Sequence, residues 1–345
     1  MKSLLLTAYN HLEIADLPSP LPGPDEVLIR VEACGICGSD VHGYDGSTGR
    51  RIPPLVMGHE AAGTIAALGA GVDAYTVGDR VTFDSMISCG ACAFCLRGDT
   101  NLCDNRQVVG VSCKEFRREG AFAEYVAVPE RVLYRLSDAM TFPEAAMLEP
   151  TSVALHAVRV TELTGGETAL VVGAGMIGLL TLQAARAAGC ARVFVADIDE
   201  TRLELARKLG ADEAFNSKSV DVAARVLELT GGRGVDVAFE AVGRNETVAA
   251  AIDSTRKGGK VTLIGNITPE VTLPLQKVVT RELRLQGSCA IAGEYTQAIE
   301  LIGSGKIQVK PLITAIATLE EGPGWFERLY AGEPNLMKVI LTPGA

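Results

Sequence analysis

From about residue 153 the chain repeats one pattern, a continuous apolar, β-rich run followed by an amphipathic helix-like segment. The runs are "ALVVGAG", "RVFVADID", "VDVAFEAVG", "KVTLIGN" and "LRLQGSC", with segments such as "MIGLLTLQAARAAGC" and "TRLELARKLG" between them. A strand that is apolar along its whole length needs cover on both faces, and helices between successive strands let those strands run parallel. The pattern predicts a doubly wound parallel sheet over residues 153–291.

The preceding residues 1–152 read differently. "EVLIRVEA" sets Val27, Ile29 and Val31 on one face, and "AAGTIAALG", "GDRVTF" and "AFAEYVAV" are further strand-length runs bounded by turn residues. An all-β, barrel-like domain with long loops is expected. Residues 292–345 form a mixed tail, with a helix near "GEYTQAIELIGSG" and a last strand "MKVILT". A length of 345 residues suits two domains with a core each.

Charge narrows the function. A net charge of −10 gives the surface no general attraction for phosphate backbones or anionic lipid, which argues against nucleic-acid and membrane roles. "MKSLLLTAYN" is too short an apolar run for a secretory signal, and "ALVVGAGMIGLL" falls short of a bilayer span. A cytoplasmic location is expected, and there clustered cysteines serve as metal ligands or catalytic groups more often than as disulfides.

In "VVGAGMIG", Gly173, Gly175 and Gly178 have G-x-G-x-x-G spacing after a strand and at the opening of a helix. The first glycine makes the turn, the second admits a pyrophosphate to the backbone and the third packs helix on sheet. Asp197 ends the next strand, where its carboxylate can accept both ribose hydroxyls of NAD. A 2′-phosphate would meet Asp197 and Asp199 as like charges, so NAD is expected over NADP.

Four of the nine cysteines, Cys89, Cys92, Cys95 and Cys103, fall within fifteen residues as C-x2-C-x2-C-x7-C. Four thiolates in one loop suit a tetrahedral zinc with a closed shell, hence a structural site. An iron–sulfur cluster is the rival ligand-set reading. A reactive metal needs an open position. "CGICGSDVHGY" supplies Cys37, Ser39, Asp40 and His42, and "MGHEAAG" supplies His59 and Glu60, enough for a thiolate–imidazole–carboxylate site with room for a water or alcohol.

"CGICGSDVH", "GHE", the four-cysteine loop, "EAAMLEPTSVALHA", "GAGMIG" and "VADID" occur in the order seen in zinc-containing medium-chain alcohol dehydrogenases, and the chain resembles the polyol dehydrogenase branch of that family over essentially its whole length. The resemblance implies a GroES-like β domain with an inserted Rossmann domain, and a chain that returns to the first domain at its end. It implies Cys37, His59 and Glu60 as ligands of a catalytic zinc, with Glu149 as a second carboxylate reaching the metal directly or through water. It further implies Ser39 and His42 as a relay for the alcohol proton, and Asp40 as the orienter of a ligand histidine. Arg202, Ile177, Val242, Ile264 and Ser288 are implied near NAD. Two zincs per subunit, reversible hydride transfer between NAD and a secondary alcohol, and a homodimer or homotetramer follow from the same likeness. In such relatives Rossmann sheets pair where this chain has the strand-like "EVTLPLQ", residues 270–276.

The likeness weakens around the substrate. Sorbitol-type enzymes carry a tyrosine where this chain has Gly43, with Tyr44 one place later, and an Arg-Tyr pair where it has Ala290 and Ile291. These losses predict extra space and a less polar pocket. A polyol-phosphate, butanediol or L-threonine substrate is an alternative, and a basic pocket for a phosphate would draw on Arg50, Arg51, Lys114, Arg117 and Arg118. In a different class, the chain would be a catalytically silent NAD-binding sensor. His156 is expected to be packed, His11 to lie in an exposed turn, and Cys34, Cys113, Cys190 and Cys289 to be ordinary buried thiols.

Overall fold

Val27, Ile29 and Val31 are all buried, as their alternation requires, and the strand Glu26–Gly35 that carries them organises the first of two units. The computed structural model describes residues 1–112 and 117–344. One unit comprises residues 1–149, 291–303 and 309–345, and the other residues 150–290 and 304–308.

In the first unit a seven-stranded mixed sheet runs Leu133–Arg135, Arg80–Phe83, Glu60–Leu68, Glu26–Gly35, Lys338–Thr342, Ile313–Thr318, with Tyr125–Pro129 also paired to Glu26–Gly35. Two registers matter for the site. Gly35 lies opposite Glu60. The last strand runs antiparallel to the hub, with Ile340 opposite the same Gly35. Buried Leu4, Ile29, Phe83, Phe122 and Phe326 belong to one continuous core beneath these strands.

In the second unit six parallel strands take the order Glu213–Asn216, Arg192–Asp197, Thr168–Val172, Val235–Glu240, Thr255–Leu263, Arg284–Gly287. Numbered along the unit this is 3-2-1-4-5-6, the doubly wound order of a Rossmann sheet, whose ligand crevice opens at the carboxyl ends of strands 1 and 4. Both fold-class expectations therefore hold.

Four local expectations need correction. Five tail residues, Ser304–Gln308, cluster with the Rossmann unit. Gln183 clamps them, its Oε1 accepting from Gln308 N at 2.7 Å while its Nε2 donates to Gln308 O at 3.2 Å. Residues 270–276 form no strand. Alternating side chains are not enough without a partner to complete a ladder, and the chain enters the helix Leu275–Thr280 instead. Cys289 is exposed, whereas Cys34 and Cys190 are buried as expected. His11 is exposed but opens the strand His11–Asp16, and His156 is packed at 4% exposure. Cys113 and Lys114 lie outside the described residues.

Candidate active site and metal centres

Cys37 caps the helix Gly38–Tyr44. Its Sγ accepts from Ser39 N at 3.5 Å, and Asp40 Oδ2 accepts from Cys37 N at 3.4 Å, so thiol and carboxylate are tied together by one turn of backbone. The Gly35–Glu60 register brings the "GHE" segment alongside, and the ligating atoms of Cys37, His59 and Glu60 lie within 4.8 Å of one another. Glu149 falls outside that trio. It is half-buried by exposure yet deep enough that loss of water pushes its carboxyl up to about 7, against the pull of His59.

Charged groups are packed tightly around the trio. Asp40 is wholly buried, and burial alone would raise its pKa, but His59 and Arg51 override that and hold it down to about 2. Burial likewise opposes a charged His59, yet Asp40 and Cys37 pull its pKa well above the ordinary value. His59 Nδ1 faces Asp40 Oδ1 at 3.4 Å without completing a hydrogen bond, and Glu60 Oε1 is buried with no partner. The carboxylates of Asp40 and Glu60 are each matched by a cation, Arg51 and Lys338. What the ligand set leaves open is polar capacity, with Glu60 Oε1 and His59 Nδ1 buried and unsatisfied, the condition a bound ion relieves at Glu60.

Two residues near the trio carry little signal in the sequence. Lys338, at 2% exposure in the last strand, pairs with Glu60 Oε2 and donates to Ile36 O at 3.1 Å. A lysine inside the otherwise apolar "KVILT" was the available cue. Arg51, at 5% exposure, donates through Nε and Nη2 to Asp40 Oδ1 at 3.2 and 3.0 Å and through Nη2 to Ser39 Oγ at 3.2 Å. Its stem fills the place a side chain at Gly43 would need, since an added Cβ there would lie 2.9 Å from Arg51 Cβ and closer to Cγ. The absent tyrosine therefore opens no space at this point, contrary to the sequence expectation. Tyr44 offers no substitute, because its hydroxyl donates to Asn10 O at 2.7 Å and its ring packs against Phe326 and Tyr330.

Among the described residues, the arginines expected to form a basic pocket are committed elsewhere or exposed. Arg51 is committed as described, and Arg118 is bound to Glu26 Oε1 at 2.5 Å and to Ala127 O. Arg117 lies 4.0 Å from Glu119, and Arg50 is exposed.

The four cysteines of the loop converge. Sγ of Cys95 lies 3.9 Å from that of Cys89 and 3.5 Å from that of Cys92. Thiolates placed about 2.3 Å from one tetrahedral zinc stand about 3.8 Å apart, so the spacing suits a single ion. Backbone N–H groups of Ala91 and Cys92 point at Cys89 Sγ and hold its thiol down to about 6, while loss of water pushes Cys103 up to about 11.

In the Rossmann unit, Gly173 turns with φ +101. A Cβ on Gly178 would strike Gly173 O, whereas one on Gly175 would meet only open space. The glycines thus serve the turn, the helix packing and an approach route for a ligand. Asp197 departs from expectation. Its Oδ1 accepts from Ile198 N (2.7 Å) and Asp199 N (2.9 Å), and its Oδ2 from Ala174 N (2.5 Å). Three of four lone-pair positions are taken, which leaves one acceptor position rather than a pair. Asp199 caps the next helix by accepting from Thr201 N and Arg202 N. Ile177, Val242 and Ile264 are half-buried, and the buried hydroxyl of Ser288 has no partner.

A Rossmann sheet in one unit and an open thiolate–imidazole–carboxylate trio in the other define an oxidoreductase that combines a metal centre with a nicotinamide cofactor. Alcohol dehydrogenase GroES-like domains match residues 23–138 and zinc-binding dehydrogenases match residues 177–304. The chain is 35% identical to sorbitol dehydrogenase of Bacillus subtilis, over 99% of this chain and 97% of that one. A zinc-binding dehydrogenase of Sinorhizobium meliloti bound to NADP superposes with a TM-score of 0.89 at 32% identity, covering 99% of each chain. An alcohol dehydrogenase of Escherichia coli complexed with NADH does so with a TM-score of 0.91 at 31% identity, again over 99% of each. The chain belongs to the zinc-type alcohol dehydrogenase family. No helix among the described residues is long and apolar enough to cross a membrane.

Proposed function

We propose that this chain oxidises a secondary alcohol of a polyol or sugar alcohol to the ketone, reversibly, with NAD as hydride acceptor. Cys37, His59 and Glu60 hold a catalytic zinc, with Glu149 in reserve as an alternative carboxylate, and Cys89, Cys92, Cys95 and Cys103 hold a structural one. The observation that carries the reading is the trio itself, with its three ligand atoms within 4.8 Å and an unsatisfied Glu60 Oε1. When bound, zinc would withdraw electron density from the substrate oxygen and so lower its proton affinity.

The remaining work falls to the chain's own side chains. Asp40 sets the ring of His59. Lys338 engages Glu60 Oε2 and leaves Oε1 for the metal. Ser39 and His42 stand three apart on the helix Gly38–Tyr44, hence on one face, and both are exposed. Ser39 Oγ accepts the alcohol proton and His42 hands it to solvent.

In the other unit, the N-terminus of the helix Met176–Ala187 receives the pyrophosphate. The open position on Asp197 Oδ2 takes a ribose hydroxyl, and the unpartnered Ser288 hydroxyl, with Ile177, Val242 and Ile264 around the cofactor, takes a polar group of the nicotinamide end. Asp197 and Asp199 repel a 2′-phosphate, which supports NAD. Exposed Leu275 and Val279 beside residues 270–274 support pairing of two chains there, and a strictly monomeric sedimentation profile at micromolar concentration refutes it.

The commitment of Arg51 and Arg118 favours an unphosphorylated substrate. Steady-state kcat/KM with NAD and NADP over a panel of polyols, polyol phosphates, short diols and L-threonine tests the proposal. A free polyol should lead, with sorbitol weak. Preference for a phosphate ester, or for NADP, overturns the corresponding part.

A further inference from the structure

The hydroxyl of Ser39 has one proton to give and two lone pairs to accept with. In a proton relay it must accept from the substrate on one side and donate onward on the other, and nothing intrinsic to serine fixes which lone pair faces which neighbour. Arg51 removes that freedom. Its Nη2 carries two hydrogens, one directed at Ser39 Oγ (3.2 Å) and one at Asp40 Oδ1 (3.0 Å), while Nε adds a second bond to the same Asp40 oxygen (3.2 Å). One guanidinium thereby grips the relay hydroxyl and the carboxylate that faces ligand His59. Arg51 and Asp40 have side-chain exposures of 6% and 0%, so the grip is rigid and poorly screened.

We propose that Arg51 is a positioning residue that gives the Ser39 relay its direction, and that Gly43 is its structural counterpart. With one lone pair of Ser39 occupied by a donor that never releases its proton, the hydroxyl keeps one lone pair for the substrate proton and one O–H to pass on. Lysine retains the charge but lacks the planar fork, so it cannot serve Ser39 and two bonds to Asp40 together. Gly43 is required for a separate reason, because any side chain there displaces the Arg51 stem. The inference rests on the reading of Ser39 as proton acceptor.

The test separates proton movement from hydride transfer. Zinc-loaded enzyme with NAD bound is mixed with trifluoroethanol, an alcohol that binds but gives up no hydride, and proton release is followed by stopped flow with a pH indicator. Arg51→Lys and Gly43→Ala should each slow release roughly ten- to a hundredfold, the penalty of a misplaced catalytic hydroxyl, with bound zinc and the number of protons released unchanged. In a Ser39→Ala background, Arg51→Lys should slow release no further. If both substitutions leave the rate alone while Ser39→Ala slows it, or if the effects of Arg51→Lys and Ser39→Ala multiply, Arg51 does not act through Ser39 and the inference fails alone. If Ser39→Ala itself releases protons at the normal rate, the relay reading fails and this inference with it.

Discussion

Replacing Asp84 by asparagine should make the protein more stable at alkaline pH and leave it unchanged in acid. Asp84 is 8% exposed and its Oδ1 accepts from Met86 N at 2.9 Å. One backbone donor does not offset the lost water, and burial pushes the carboxyl up to about 7 from an ordinary 3.8. The folded state therefore binds one more proton than the unfolded state between about pH 4 and pH 7, so stability falls as pH rises through that window. The ceiling is 7 minus 3.8, or 3.2 units, at about 1.4 kcal/mol each, roughly 4 kcal/mol. Structural relaxation around the charged form should leave about half of that, near 2 kcal/mol. Asparagine is neutral throughout and can still accept from Met86 N. Thermal unfolding of both proteins from about pH 3, below the unfolded carboxyl's pKa, to about pH 8.5 should show equal midpoints at the acid end, with the variant about 4–8 °C higher at the alkaline end. Curves that stay parallel across the range would refute the assignment of a buried, protonated Asp84, and a variant less stable at pH 8 would reverse its sign.

Three further outcomes are expected. Cys103→Ser should cost one zinc per chain by elemental analysis and lower the unfolding temperature, and unchanged metal content would remove the structural-site reading. Lys338→Met leaves Glu60 buried without its cation, which should destabilise the metal-free protein by about 3–5 kcal/mol. Zinc can supply the missing charge, so the loss in loaded protein should be smaller and chelator competition should show tighter zinc binding at the trio; weaker binding contradicts the account. Asp197→Ser removes the carboxylate from the ribose position and should narrow the ratio of kcat/KM for NAD over NADP by about tenfold or more, the value of one charge-assisted hydrogen bond. An unchanged ratio would place cofactor choice elsewhere.

The features legible in the sequence are those whose geometry is local. A doubly wound sheet follows from strands that are apolar throughout and alternate with amphipathic helices, because burial on both faces has few other solutions. G-x-G-x-x-G is readable for the same reason, since a single turn needs Gly173 at positive φ and Gly178 against Gly173 O. The cysteine cluster needs only a fifteen-residue loop to fold on itself. By contrast, Cys37 and Glu60 meet through the register of two strands, so the sequence offered them only as ligand types in separate segments, and likeness to a family rather than spacing joined them.

Tertiary structure alone decided what surrounds those ligands. Lys338 is brought to Glu60 from 278 positions away, because the last strand pairs beside Gly35. Gly43 read as vacated space until the Arg51 stem was seen to occupy it, since a missing Cβ states only what one residue does not fill. Asp197 read as a two-armed acceptor, yet three backbone N–H groups had already claimed most of its capacity. Residues 270–276 have the alternation of a strand but no ladder, because a strand is defined by its partner. A sequence fixes which donors, acceptors and volumes exist, whereas long-range packing decides which of them find each other.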